Sequence, residues 1–285
     1  MDWFQFVVKV YYDMPRIEEK RILKALDDIG AKVVPVNVTR EPLPLDGIEE
    51  HVPLIRAVSM FRSLYTAAAL EANKLEPINS SFTIMYSGDK ILTYSILASS
   101  NIPIPKTMIS INGEATLKAY LEMGFPVVDK PPIGSWGRLV SLVRDPHEAS
   151  IVIEHRSMMS SPQMKTHIVQ EYVKMPNNRD IRCFVIGERC LGCIYRLPQK
   201  GEWRSNVALG ASVKKVEDSC EACELALKAA KALKGEVVSI DLFEKENGLV
   251  VNEVNGVPEF KGFMKATGID IAMEIAKYIK DKIKR

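Results

Sequence analysis

The chain is 285 residues long, 47% hydrophobic, and carries a formal net charge of +2. That length supports a sizeable core and two or three domains, and the small charge does not favour bulk nucleic-acid binding. No run of about 18 apolar residues occurs, so neither a spanning helix nor a membrane partner is expected.

The first segment, "MDWFQFVVKVYY", starts acidic and alternates too early for a signal peptide. It reads as the first β-strand of a cytoplasmic protein. Pro15 to Ile29 has helical periodicity, with Ile22, Leu23, Leu26 and Ile29 facing inward and Gly30 as the glycine that ends it. "AKVVPVNV" and "VPLIRAV" read as further strands and "SLYTAAALEANK" as a helix, which together predict an open α/β layer. No G-x-G-x-x-G follows the first strand, so a dinucleotide fingerprint is absent.

Beyond Pro77 the pattern changes. A helix starts near Lys90 and is stopped by Asn101 and Pro103, and "GEATLKAYLEMG" is a second one. "FPVVDKP" and "LVSLVR" read as two strands of a hairpin joined by the glycine-containing "IGSWGR". After a helix near Pro146–Met158 come strands "HIVQEYV", "DIRCFVIG" and "RCLGCIYRL". A long helix from Asp218 to Leu233 leads to "EVVSIDLFEKENGLVVNEVN", an antiparallel pair turning at Glu246-Asn247-Gly248. "DIAMEIAKYIKDKIKR" is an amphipathic helix.

That antiparallel pair concentrates the chemistry. Counting from a turn centred near Asn247 sets Asp241 opposite Glu253, and Asn255 shares the Glu253 face because strand side chains alternate. Three hard oxygen ligands on one face suit Mg²⁺; a solvated strand end is the plain alternative. "PPIGSWGR", Pro131 to Arg138, can turn backbone N–H groups towards phosphate oxygens, with Lys130 as a point charge before it. An ordinary hairpin is the plain alternative there, and no Walker A loop occurs. The five cysteines include Cys190-x-x-Cys193 and Cys220-x-x-Cys223, a spacing that fits a zinc ribbon in a binding protein. Because "RCLGCIYRL" reads as a strand and "SCEACELALKAAKAL" as a helix start, buried small residues or a disulfide remain open alternatives. The four histidines fall in contexts that suggest no role.

Taken in order, Asp89-Lys90, "FPVVDKPPIGSWGR", "VQEYVKMPNNRDIRCFVIG", "WRSN", "VNEVNGVPEF" and "TGIDIA" resemble the ATP-grasp carboxylate–amine ligases of the RimK type. The resemblance covers nearly the whole chain from Asp89. It implies an ATP-grasp fold of α/β (α+β) class, with an N-terminal open α/β domain over residues 1–86. Two α+β subdomains, 87–169 and 170–285, would clamp ATP. It implies that Lys90 and Lys130 contact the phosphates and that the loop bearing Ile133, Gly134, Ser135, Trp136, Gly137 and Arg138 closes over them. The adenine would lie on a hinge of Gln170, Glu171, Tyr172, Val173 and Ile181, and the ribose on Asp180. Arg196 and Asn206 would lie beside the phosphates, with Arg182 and Arg196 as catalytic cations. Asp241, Glu253 and Asn255 would hold Mg²⁺, two ions.

Within that family, "GSWGR" and "NEVNGVPEFKGF" are most similar to lysine/arginine-biosynthesis ligases that act on a small acidic amino-group carrier protein, LysW-like. One subgroup uses α-aminoadipate and carries Asn plus a small residue after "EFK", with an "NTARGG" loop; the other uses glutamate. Here Gly262-Phe263 and "SNVALGA" point to glutamate, with Val207, Ala208, Glu259, Phe260, Lys261, Gly262 and Phe263 implied around the substrate. Phe263 is expected to fill the space an extra methylene needs. A homo-oligomer, dimer or tetramer, is also expected. Two departures stand out. Asp129 precedes the nucleotide lysine where the family has an apolar residue, and Leu209 replaces a loop arginine.

Overall fold

The computed structural model describes residues 6–199 and 210–284. Asn206, Val207, Ala208 and Leu209, and with them the "WRSN" loop, lie outside the described residues.

Three sheets organise the chain. The first is parallel and contains β1 (Val7–Tyr12), β2 (Lys32–Asn37) and β3 (Val52–Ile55) in the order β2-β1-β3. Helix α1 (Ile17–Asp28) buries Ile22 and Leu26, and Gly30 follows it at φ 84°, a left-handed position that suits a residue without a Cβ. Helix α2 (Met60–Ala72) starts at Ser59, whose side chain accepts from the Arg62 N–H. The sequence pattern gives no warning of α3 (Ser81–Gly88), a short helix capped by Ser80. Helix α4 (Lys90–Ser99) is capped by Asp89, so Asp89-Lys90 does head a helix.

The second sheet is antiparallel: β4 (Thr107–Ser110), β5 (Val127–Lys130), β6 (Ser141–Val143) and β7 (His167–Glu171), ordered β4-β7-β5-β6. Helices α5 (Gly113–Met123) and α6 (Pro146–Ser157) contribute Tyr120 and Ala149 to its core. The expected hairpin is β5–β6, and the glycine loop joins its strands.

The third sheet contains β8 (Asp180–Ile186), β9 (Arg189–Leu197), β10 (Ser212–Lys215), β11 (Val237–Lys245) and β12 (Gly248–Asn255), in the order β10-β9-β8-β11-β12. Helix α7 (Cys220–Ala232) shares one core with this sheet and with α4. On the other face, α8 (Lys261–Thr267) and α9 (Ile271–Ile283) share a core with α1 and β1. Covered on both faces, β11 is buried from Val237 to Leu242, which explains its nearly continuous apolar run.

The first layer is stitched to the third sheet by satisfied buried polar groups. The Asn79 Nδ2 donates to the carbonyls of Val237 and Gly256, both at 2.7 Å, and its Oδ1 accepts from the Glu236 and Val237 N–H groups. The Thr83 hydroxyl donates at the end of α7, lying 3.0 Å from the Leu233 carbonyl and 2.8 Å from that of Lys234. Buried Arg56 donates to the Pro258 carbonyl at 3.0 Å.

Of the alternatives open for the cysteines, the structure shows disulfides and not a zinc ribbon. Disulfides join Cys183 to Cys193 and Cys190 to Cys223, while Cys220 is exposed and free. Neither C-x-x-C pair therefore acts as a unit. The β8–β9 register runs Cys183↔Cys193 and then Val185↔Cys190, an extra residue on β9, and Gly192 takes φ 113° within it. Residues three apart on a regular strand face opposite sides. The bulge lets Cys190 and Cys193 both reach the sulfur cluster.

Candidate active site

Charged residues cross the third sheet in one row. On β8, Asp180 and Arg182 are two apart and share a face; Asp180 is registered with Arg196 on β9, and Arg182 with Asp241 on β11. Asp241 in turn faces Glu253 on β12. The Asp241 carboxylate is fully buried, accepts from Arg182 through two bonds of 2.7 Å, and accepts a third at 2.8 Å from Arg196. Burial alone would raise its pKa, but the two guanidinium groups override this and hold it below the usual carboxylate range. Arg196 also grips both oxygens of Asp180. Burial works against its charge, yet Asp180 and Asp241 push its pKa above the ordinary arginine value.

The Asp241–Glu253 pairing depends on a bulge. The two-residue turn sets Lys245 against Gly248 and Leu242 against Val251, a register in which Asp241 would face Asn252. A register shift between Asp241 and Leu242 brings Glu253 opposite Asp241 instead. As a result, the consecutive residues Asn252 and Glu253 both line the same cleft, which a regular strand forbids.

That cleft lies between the second and third sheets, with a volume of about 90 Å³. Lys130, at the end of β5, donates to Gln170 Oε1 and to Asn252 Oδ1, both at 2.7 Å, and has no carboxylate within bonding distance among the described residues. Burial pushes its pKa down to about 7, although the charge of Glu253 opposes the shift. Lys90 bonds the Gly134 carbonyl at 2.8 Å and lies 3.1 Å from Glu253. Both implied lysines thus meet at the β12 bulge and the glycine loop. Trp136, Gly137, Arg138, Tyr172, Val173 and Asp180 line the cleft as well.

A second cavity, of about 520 Å³, lies between the third sheet and the loops after β1 and β3. Arg16, Ser59, Arg182, Asn255 and Glu259 line it, as do Ile133 and Ser135 of the glycine loop. The two spaces share a wall of Gly134, Trp136, Arg196 and Glu253. Among the described residues the buried Asn255 Nδ2 has no partner and Glu253 pairs with Lys90 alone, while Asp241 retains oxygen lone pairs beyond its three arginine bonds. The two carboxylates and the Asn255 amide oxygen make an all-oxygen donor set that fits a hard divalent cation such as Mg²⁺.

Several implied residues are located elsewhere. Ile181 alternates away from Asp180 into the core, 3% exposed. Gln170 acts on Lys130, as above. The Glu171 carboxylate lies against Lys245 at 2.6 Å and the Lys106 N–H at 2.7 Å; burial would raise its pKa, but these bonds lower it. Phe260 and Phe263 are each 1% exposed, and both pack against Phe184. Phe263 therefore forms core rather than a substrate wall: α8 turns its ring inward under the third sheet. Phe260 and Lys261 border a separate depression beside Ile17 and Met264, and Gly262 lines neither main cavity. Asp129 faces away from Lys130, accepting from the Tyr120 hydroxyl at 2.8 Å and lying 2.7 Å from His167 Nδ1, so that departure leaves the cleft untouched. Sequence reasoning missed Asn252, which strict alternation assigns to the opposite face. It also missed Arg16, although "DMPR" follows the first parallel strand, where open α/β sheets place ligands.

Known proteins resemble this chain in sequence and in fold. The RimK-like ATP-grasp domain family matches residues 87–279. The "Glutamate--LysW ligase ArgX" of Sulfurisphaera tokodaii is 50% identical, over 96% of this chain and 98% of that protein. The "Alpha-aminoadipate--LysW ligase LysX" of the same organism is 32% identical, over 98% and 100%. The crystal structure of a RimK domain ATP-grasp protein from Sphaerobacter thermophilus superposes with a TM-score of 0.77 at 24% identity, over 96% of this chain and 99% of the other. This chain belongs to the RimK-like ATP-grasp family.

Proposed function

We propose that this protein joins the α-amine of glutamate to the side-chain carboxyl of the C-terminal glutamate of a small acidic, LysW-like carrier protein, using ATP, in arginine biosynthesis. The observation that carries the reading is the shared wall. A phosphate donor in the smaller cleft and an acceptor in the larger cavity would meet at Arg196 and Glu253.

In this reading Lys90 and Lys130 hold the phosphates, Tyr172 and Val173 border the adenine, and Asp180 is the ribose-side acid. Asp241, Glu253 and Asn255 would hold Mg²⁺, two ions, which would neutralise phosphate charge. The carrier carboxylate attacks the γ-phosphorus, the bond to the β-phosphate oxygen breaks, and Arg182 and Arg196 spread the charge that develops. The glutamate amine then attacks the acyl carbon and phosphate leaves. Trp136 and Arg138, whose guanidinium lies 4.7 Å over the indole, cap the site and keep water from the acyl phosphate.

Glutamate is favoured over α-aminoadipate because similarity to the relative named for glutamate is 50%, against 32% for the one named for aminoadipate. The test is incubation with ATP, Mg²⁺, the carrier protein and either amino acid, followed by intact mass. A carrier that gains one glutamate residue, with ADP formed in equal amount, supports the reading. A carrier that gains only aminoadipate, or nothing, overturns it.

A further inference from the structure

The larger cavity has three arginines among its described lining residues, and two are committed to the charged row. Arg182 is bound to Asp241, and Arg196 to Asp180 and Asp241. Arg16 has no bond to that row. Its Nε and Nη2 grip the carboxylate of Glu19, at 3.1 and 2.7 Å, and Glu19 is 1% exposed. Glu19 also accepts from Arg56 Nε at 3.2 Å. Arg56 is anchored by the Pro258 carbonyl and lies over the Phe260 ring at 5.8 Å. One edge of the Arg16 guanidinium is therefore locked. Among the described residues its Nη1 meets only Glu259 Oε1, at 3.4 Å, near the limit of a hydrogen bond, and the Glu259 side chain is 33% exposed.

We infer that Arg16 binds the side-chain carboxylate of the incoming amino acid, which displaces Glu259 from Nη1. The inference rests on the ligase reading above. For the amine to reach an acyl phosphate at the shared wall, the side-chain carboxylate must point away from the phosphates. Moving it out of water requires a fixed cation. Glu259 is a carboxylate already standing at that nitrogen, held weakly and free to swing into solvent. Because Glu19 and Arg56 fix Arg16, the distance from this nitrogen to the shared wall is fixed too, and it measures side-chain length. Phe263 acts at second hand, as a positioning residue: its ring supports Phe184, which packs on Phe260 beneath Arg56.

The test compares kcat/KM for glutamate and for glutamine, its neutral isostere, in wild type, Arg16→Lys and Arg16→Gln. Wild type should prefer glutamate strongly. Arg16→Gln should lower the glutamate-to-glutamine ratio by at least about tenfold, and Arg16→Lys should retain part of it. A purely structural role slows both amino acids equally, and an unchanged ratio overturns the inference. Glu259→Gln, which leaves the buried Glu19–Arg56 pair intact, provides a second measurement should the Arg16 variants not fold. It should lower the KM for glutamate by removing a competing charge, and a KM that stays the same or rises overturns the inference. Wild type that ligates no glutamate to any carrier overturns the ligase reading and this inference with it, whereas an unchanged ratio in an active enzyme sinks this inference alone.

Discussion

Lys130 reaches Asn252 through a 2.7 Å hydrogen bond, and β12 allows this only by bulging between Leu242 and Asp241 on its partner strand. Its other partners among the described residues are neutral, Gln170 at 2.7 Å and the Tyr94 hydroxyl at 3.4 Å, so the lysine is buried without a bonded countercharge there and its pKa falls to about 7. ATP phosphates favour the ammonium form, so binding above pH 7 should take up a proton. The Kd for ATP should then rise with pH above about 7, by at most about tenfold per unit for one proton. Titration calorimetry near pH 8.5 in buffers of different ionisation enthalpy reads the uptake directly; no uptake there would contradict the assignment. The sign for stability is also set. Between about 7 and 10.5 the unfolded chain binds this proton and the folded chain does not, so stability without nucleotide should rise with pH across that window.

Glu253→Gln removes a charge from both cavities while altering little packing, since the Glu253 side chain is 23% exposed. Turnover should fall by at least about a hundredfold, the scale of several kcal/mol of lost metal-assisted charge stabilisation. The melting temperature should stay near wild type. A folded variant with near-normal turnover would remove Glu253 from the metal site.

Phe263→Ala should cost about 3–5 kcal/mol of stability, because its ring is core. Phe263→Leu, closer in volume, should cost less than about 1.5 kcal/mol. If Phe263 only supports Phe260 and Arg56, the leucine variant should keep the wild-type ratio of glutamate to aminoadipate use. Inversion of that ratio with stability intact would mean that the ring touches substrate.

Intact mass under non-reducing, denaturing conditions should be four hydrogens lighter than the reduced chain, two for each disulfide, with a single alkylated thiol at Cys220. Opening the Cys190–Cys223 link, which spans 33 residues, should cost roughly 2–4 kcal/mol. Five alkylatable thiols, or stoichiometric bound zinc, would overturn the pairing.

Much of this was legible from local pattern. Hairpin counting set Asp241 opposite Glu253, although two errors cancelled: the turn is one residue tighter than assumed, and the bulge restores the missing residue. The α1, α7 and α9 helices follow from 3.6-residue periodicity. Strands β4 and β10, four residues each, are too short to show a period. Bulges also escape because they break the alternation that the reading relies on, which hid Asn252 and the cysteine pairing. Phe263 was misplaced because similarity in a motif says nothing about which way a ring points. Arg16 was invisible because its meaning depends on Glu19, Arg56 and Glu259, the last 243 residues away.

The stitches through Asn79, Thr83 and Arg56 have a kinetic consequence. They tie the first layer to the third sheet through buried bonds that a rocking motion would have to break. The walls that the first layer and the third sheet give the larger cavity are therefore fixed relative to one another, and the glycine loop from Ile133 to Trp136 forms a wall outside those stitches. Lys90 links this loop to the smaller cleft through Gly134. Nucleotide binding there would settle the loop and so finish the neighbouring cavity. An order of addition follows: ATP first, the amino acid last, with glutamate binding weakly until the nucleotide is in place.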